Sequence, residues 1–399
     1  MTYHLWRNSL LIFLTIYLTV DLYAQDKPTF SFGKGIEVVA PDSAASMKFN
    51  FNLQNRIDVK TLSTDDWGVD EFSVRIKRFR LKFTGFLIDP RLTYQVQLAL
   101  APRNISGPLA EQAPQTMYQA IIYYQFDKRL KIGFGQIELP GNRQRMNSST
   151  SMQMVDRSLA NSTYALDLDF GLHGEYKLNP EGRQPLVLHG AITSGEGQNW
   201  VAVTDGSLSY TGRLDWYPLG SFISNGAYKE SDLEWHTEPR LMAGISYNYN
   251  ENAMRTGGQR GNLLYEQRDI STLFSDIIFK YQGWALQGAY MVRNSDVPIT
   301  YDSDGTGIRY IHNGEGWNFQ FGKYFKSKWE VVGQFTNVLP AQEIENVAAQ
   351  RRDWTVGLNR YLKGRAIKIQ ADFTLFQSRT PGNDFTDQLG ATIQAQVGI

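Results

Sequence analysis

Five cations, Arg75, Lys77, Arg78, Arg80 and Lys82, fall within eight residues and form the densest run of charge in the chain. From Arg78 onward they alternate with Phe79, Leu81 and Phe83. In an extended strand this puts the cations on one face and the apolar groups on the other, at steps of about 6–7 Å. A basic ladder on a low-dielectric wall concentrates anions and offers them successive weak sites, which is the chemistry of conduction rather than of bond-making. Arg75 and Lys77 share a face with each other. The phase shifts at Lys77-Arg78, as a β-bulge would produce. The competing reading is a solvated basic strand face that binds nothing.

A second group lies in the stretch 138–167, which carries Arg143, Arg145 and Arg157 among many Asn, Ser and Gln. At about thirty residues it is long for a surface loop, and such loops are usually functional or disordered. Folded inward it would narrow a pore and present guanidinium forks, which suit phosphate because they donate paired hydrogen bonds. Asp156, Asp167 and Asp169 stand close enough in sequence to neutralise those arginines. His173 and His189 flank Glu181 and lack a clear third ligand, so they read as polar wall and no metal is expected. Asp302-Ser303-Asp304-Gly305 starts like a calcium loop, but its twelfth position is Asn313 rather than Glu. There is no P-loop, dinucleotide glycine pattern or G-x-S-x-G elbow, so neither an enzyme nor a cofactor is expected.

The elements that would position these residues are strands. Leu389, Ala391, Ile393, Ala395, Val397 and Ile399 alternate with Gly390, Thr392, Gln394, Gln396 and Gly398. The same period of two recurs from Met47, from Leu92, from Leu208 and from Trp284, in segments of roughly ten residues. The joins alternate in length. Ile88–Arg91, Asp127-Lys128, Gln282-Gly283, Lys326–Lys328 and Lys363–Arg365 are tight, whereas 60–71, 101–115, 138–167, 251–269, 294–314, 338–352 and 378–387 are long and polar. That pattern predicts an all-β fold: a 16-stranded antiparallel transmembrane β-barrel with short periplasmic turns and long external loops. One join, 218–238, breaks the alternation, since it falls where a short turn belongs.

Composition is compatible. Aromatics make up 13% of the residues, yet mean hydropathy is −0.37, which suits a wall with one face to lipid and one to water and equally a large carbohydrate-binding β protein, so composition alone leaves both open. Lys and Arg together number 40, as do Asp and Glu, so bulk charge attracts neither anions nor nucleic acid, and selectivity must come from where charges sit. No Cys is present, which removes disulfides and thiolate metal sites. The start reads as an export signal: Arg7, the apolar run Leu10–Val20, then Leu22-Tyr23-Ala24 before a cut. The expected organisation is a signal peptide at 1–24, a periplasmic segment at 25–46 and the barrel at 47–399, placed in a bacterial outer membrane.

Specific strings add a resemblance. Arg78–Gly85 followed by Asp89-Pro90-Arg91-Leu92, Gly135–Pro140 running into Arg143-Gln144-Arg145, Val155–Ser158, and the pair Thr355–Gly364 and Lys368–Phe373 resemble the phosphate-selective porin O and P family. The resemblance implies a trimeric 16-stranded porin in outer-membrane lipid, whose long third loop folds into the pore and which passes phosphate and similar anions. The candidate anion-binding, pore-lining residues, read from the spacing of the ladder and the long loop, are Arg75, Lys77, Arg78, Arg80, Lys82, Arg143, Arg145 and Arg157. Two rivals stand beside this reading: a general-diffusion porin, and a plugged barrel serving as a glycan-binding or structural surface protein.

Overall fold

The computed structural model describes residues 29–31, 33–41, 43–105, 114–199 and 206–399, so the expected signal peptide lies outside the described residues. Twenty strands are described: β1 (Thr29–Ser31), β2 (Gly35–Val39), β3 (Ser46–Thr61), β4 (Val69–Leu87), β5 (Asp89–Ala99), β6 (Met117–Gln125), β7 (Leu130–Glu138), β8 (Leu168–Leu178), β9 (Leu186–Thr193) and β10 (Ser209–Trp216) lead. They are followed by β11 (Arg240–Arg255), β12 (Leu263–Tyr281), β13 (Trp284–Asn294), β14 (Ile299–Tyr301), β15 (Ile308–Tyr310), β16 (Gly314–Tyr324), β17 (Trp329–Pro340), β18 (Gln350–Lys363), β19 (Ile367–Arg379) and β20 (Thr386–Gly398). Every pairing between neighbouring strands is antiparallel, and β20 pairs β3 from Gly390↔Lys60 to Gly398↔Asn52, which closes a barrel of 16 strands.

The remaining four are additions. β14 and β15 form a small hairpin within the long join 295–313. β1 and β2 form another, and β2 pairs β3 from Ile36↔Phe49 to Val39↔Ser46, on the edge that β20 leaves free below Asn52. The expected N-terminal segment therefore contributes a hairpin to the barrel wall. Two further boundaries differ from the sequence reading. β11 and β12 run on past residues 250 and 270, so the join expected over 251–269 shrinks to a hairpin tip at 256–262. Their pairing continues through register shifts beyond Asn250 that break strict alternation and hide the strands from a period-two search.

Burial is inverted relative to a water-soluble protein. In β20, Ile393 and Val397 are exposed while Gln394 and Gln396 are buried; in β16, Phe319 and Phe321 are exposed while Asn318 and Gln320 are buried. A strand turns alternate residues to opposite faces, so the apolar set meets lipid and the polar set meets the lumen. Polar groups taken from water need partners, and here many find them on one another: Gln54 Nε2 donates to Gln396 Oε1 at 2.7 Å and Gln334 Nε2 to Gln320 Oε1 at 2.7 Å. Placing a charge at an outward mid-strand position should cost about 2–4 kcal/mol. Phe319→Arg is expected to show that loss in urea unfolding from lipid vesicles; a change below about 0.5 kcal/mol, typical of neutral surface sites, would show that Phe319 does not face the bilayer.

Candidate functional site

The segment 139–167 runs inside the barrel rather than over its rim, and its own side chains explain why. Leu139, Ala160, Tyr164 and Leu166 form one buried apolar cluster with the inward-facing Phe274, Met291 and Val338. Removing such groups from water favours the packed state by about 25 cal/mol per Å². Ser158 caps the short helix Leu159–Tyr164 by accepting from Asn161 N. The wall makes room with glycine: a Cβ on Gly316 would lie 2.8 Å from the Tyr164 ring, and one on Gly322 would lie 2.2 Å from Gln153 Nε2. Gln153, fully buried, donates from Nε2 to Glu330 at 2.7 Å, and its carbonyl accepts from Asn359 and Gln370. Lys368 Nζ donates to Met152 O at 2.6 Å. The segment therefore leaves the wall at β7, is held at its tip by β16 to β19, and returns to β8.

The basic ladder of β4 faces inward along its length. The register with β3 passes from Gln54↔Arg78 to Asn55↔Ile76, leaving Lys77 as the extra residue of a bulge. The bulge keeps Arg75 and Lys77 on the same side of the wall as Arg78, Arg80 and Lys82. Their environments then diverge. Arg75 pairs with Asp58 at 2.8 Å. Lys77 and Arg78 approach Asp156 of the inward segment at 3.6 and 3.8 Å, and Arg56 of β3 binds the same carboxylate at 2.5 Å. Arg56 is a site residue that the sequence reading missed, because nothing in β3 alone shows that it faces Asp156 a hundred residues away. Although its position deep in the barrel disfavours charge, Lys77, Arg56 and Arg78 together hold the Asp156 carboxyl below the ordinary carboxylate range. Lys77 and Arg78, with Arg56, are thus a clamp on the segment.

Arg80 and Lys82 line open space. Arg80 stacks on the Tyr118 ring at 3.8 Å. Both border a cavity of about 440 Å³ at the short-turn end, with Glu138, Arg157 and Arg365. A side chamber of about 280 Å³, with Lys131, His173, Glu175 and His189 on its wall, shares Ile137, Glu138 and Met146 with it. At the long-loop end lies a cavity of about 590 Å³ lined by Arg103, Arg255, Arg260, Arg293, Arg309 and Arg351, with Asp167 and Glu196. His312 also borders it; burial, then Arg293 and Arg351, pull its pKa down to about 4, so it adds no charge at neutral pH.

The three arginines of the inward segment take different positions. Arg157 donates to the carbonyls of Gln144 at 2.9 Å and Asn147 at 2.7 Å, which fix its guanidinium beside the lower cavity. Arg145 is ion-paired to Asp167, which lines the upper cavity. Arg143 corrects the sequence reading. It is buried, donates to Ala227 O at 3.3 Å and to Gln287, and borders none of these cavities. It is a strut, because the short helix Arg143–Met146 turns it toward Gln287 of β13 while Arg145 turns to Asp167; Arg145 likewise borders none of these cavities. Asp169 is likewise structural, accepting from Thr193, Ser194 and the amide of Gly195. Among the described residues no group of three or more His, Cys, Asp or Glu is placed to hold a metal ion.

The family described as phosphate-selective porin O and P matches residues 49–399, nearly the whole of the described barrel. The chain belongs to that family. It is a porin of the bacterial outer membrane. Solved structures agree on the fold: OprB of Pseudomonas putida is 9% identical with a TM-score of 0.56, covering 88% of this chain and 94% of that one. The outer membrane channel DcaP of Acinetobacter baumannii is 10% identical with a TM-score of 0.54, over 90% and 99% of the two chains. The trimer form of OmpT, an outer membrane protein of Vibrio cholerae, is 11% identical with a TM-score of 0.51, over 88% and 99%. No curated protein sequence matches.

The Asp156 clamp sets a pH expectation for the porin. The folded pKa of Asp156 is depressed, so its contribution is fully present above the unfolded carboxylate value of about 3.9 and is lost as pH falls through the lower folded value. Asp156→Asn should lower thermal stability by an amount that stays constant from pH 7 to about 5 and narrows only below about 4. Equal melting of the two proteins at pH 7 would show that the clamp holds nothing.

Proposed function

We propose that the porin passes small anions, phosphate among them, by passive diffusion from the arginine-lined outer cavity, past Arg145 and Arg157, to the chamber lined by Arg80 and Lys82. One observation carries this reading. The chain is neutral overall, yet the described cavities are not: six arginines face two acidic side chains in the outer one, and Arg80, Lys82 and Arg157 face Glu138 in the inner one, where Arg365 is itself paired to Glu234. A positive potential in a narrow, low-dielectric channel raises the local anion concentration. Guanidinium groups exchange hydration for charge-assisted hydrogen bonds with a phosphate oxygen, and successive sites keep each bond weak enough for release. Glu138 and Asp167 lie on the same route and limit how tightly any anion is held. The porin is expected to work in outer-membrane lipid as a homotrimer, the state in which the OmpT structure was described.

The test is a reversal potential across a chloride gradient in a planar bilayer, followed by addition of phosphate. The expected result is an anion-sided potential and a phosphate-dependent fall in chloride current. Combined Arg80→Gln, Lys82→Gln and Arg157→Gln substitutions should move the anion-to-cation permeability ratio toward unity. A large current with no preference in the unaltered protein would reduce the function to general diffusion, and an unchanged ratio in the variant would remove these residues from the path.

A further inference from the structure

The join between β10 and β11, residues 217–239, lies at the short-turn end, where the other joins are tight, and it folds into the barrel. Its apolar residues Tyr217, Phe222 and Ala227 pack on Met242 and Ile278, which point inward from β11 and β12 and would otherwise line a water-filled lumen. Its polar groups are stitched to the wall over a wide arc. Lys280 Nζ donates to the carbonyls of Gly226 at 2.9 Å and Ser231 at 2.8 Å. Ser231 Oγ donates to Glu330 at 3.0 Å and lies 2.7 Å from Tyr361 Oη. Arg365 holds Glu234 through two bonds of 2.8 and 2.9 Å. Within the segment, His236 Nε2 accepts from Ile223 N at 3.1 Å, which leaves Nδ1 to donate to Asp232. Asp232 in turn accepts from Gly283 N at 2.8 Å.

This segment also meets the one entering from the other end. Glu230 N donates to Ser151 O at 3.1 Å, Gln153 N donates to the Glu230 carboxylate at 2.7 Å, and Arg143 donates to Ala227 O. The open spaces lie elsewhere. The two lower cavities take their strand walls from β3 to β9 and the end of β20, and none from β10 to β17, while Asn225 and Tyr228 of the segment border the side chamber.

We propose that residues 217–239 are a plug that sets the width of the pore: they close the β10–β18 side of the lumen beneath the inward segment and confine permeation below that segment to a path along β3–β9. Glu230 is the positioning residue that couples the plug to the constriction. The proposal rests on the channel reading only in needing a current to measure, and it makes no claim about which ion carries it.

The direct experiment replaces residues 221–238 with Asn-Gly, a two-residue turn suited to a hairpin, and compares single-channel conductance with that of the full chain. The expected result is a conductance about twofold higher or more, because a second aqueous route opens. An unchanged conductance from a barrel shown to be folded by circular dichroism would overturn the proposal. If the full chain carries no current and the shortened one does, the plug stands and the diffusion reading fails. A current without anion preference in both, larger in the shortened protein, also supports the plug while removing anion selectivity. Should the shortened protein not fold, the absence of native cysteine offers a second route. Ser231→Cys puts one thiol at the buried contact with Tyr361; it is expected to resist a charged methanethiosulfonate reagent until the protein is unfolded. Prompt labelling of the folded protein would overturn the proposal.

Discussion

At membrane depth a backbone N–H or C=O has no water to bond, so a sheet that crosses lipid must close on itself. Here the β20–β3 seam performs that closure, and the β1–β2 hairpin continues the same edge of β3 where β20 ends. Everything else follows from the closed ring. Its outer face must be apolar, its inner face collects the polar side chains, and those side chains must be satisfied across an interior too wide for wall-to-wall contact. Two inward segments meet that need. The backbone carbonyls of Met152 and Gln153, and the side chains of Glu230 and Asp156, supply partners for the wall residues Lys368, Gln370, Asn359, Gln320 and Arg56.

The same arrangement turns a neutral chain into an interior with uneven charge. Asp276, Asp215, Glu330 and Asp372 are held within the contacts between wall and inward segments, bonded to Arg213, Tyr228, Tyr361 and the amide of Val155. Carboxylates engaged there do not face the cavities, while Arg80, Lys82 and Arg157 do. A buried pair is weak evidence for stability, since desolvation offsets much of its attraction. Its consequence here is positional: it removes negative charge from the open route.

How much of this can be read from residues in order depends on the range of the interaction. The barrel is legible because alternation is local; each strand declares its two faces through neighbours two positions apart, as Leu389 to Ile399 do. The bulge at Lys77 is legible for the same reason, as a break in phase within β4. The ends of β11 and β12 are not, because the register shifts past Asn250 interrupt alternation while pairing goes on. Arg143 and Arg145 are two residues apart and look equivalent, yet a single helical turn sends one to Gln287 and the other to Asp167. The length of 217–239 is visible as an irregularity, but its destination is decided by Met242, Ile278 and Lys280, whose inward direction means nothing until the barrel is closed.

Charge and width therefore arise from different parts of the molecule. The cations of the constriction come from β4 and from the segment 139–167, entering from the long-loop end. The bulk proposed to close the β10–β18 side beneath the inward segment comes from 217–239, entering from the other end. The two are joined at few points, chiefly through Glu230 with Ser151 and Gln153. Energies of groups that share partners do not add, whereas those of separate groups do to within a few tenths of a kcal/mol. Arg80 and Lys82 share no hydrogen-bond partner with the lower segment, so on the proposed reading substitutions at these two wall positions act separately from the contacts of 217–239. In a barrel built this way, charge on a few wall positions can change without disturbing the closed frame or the contacts of the lower segment.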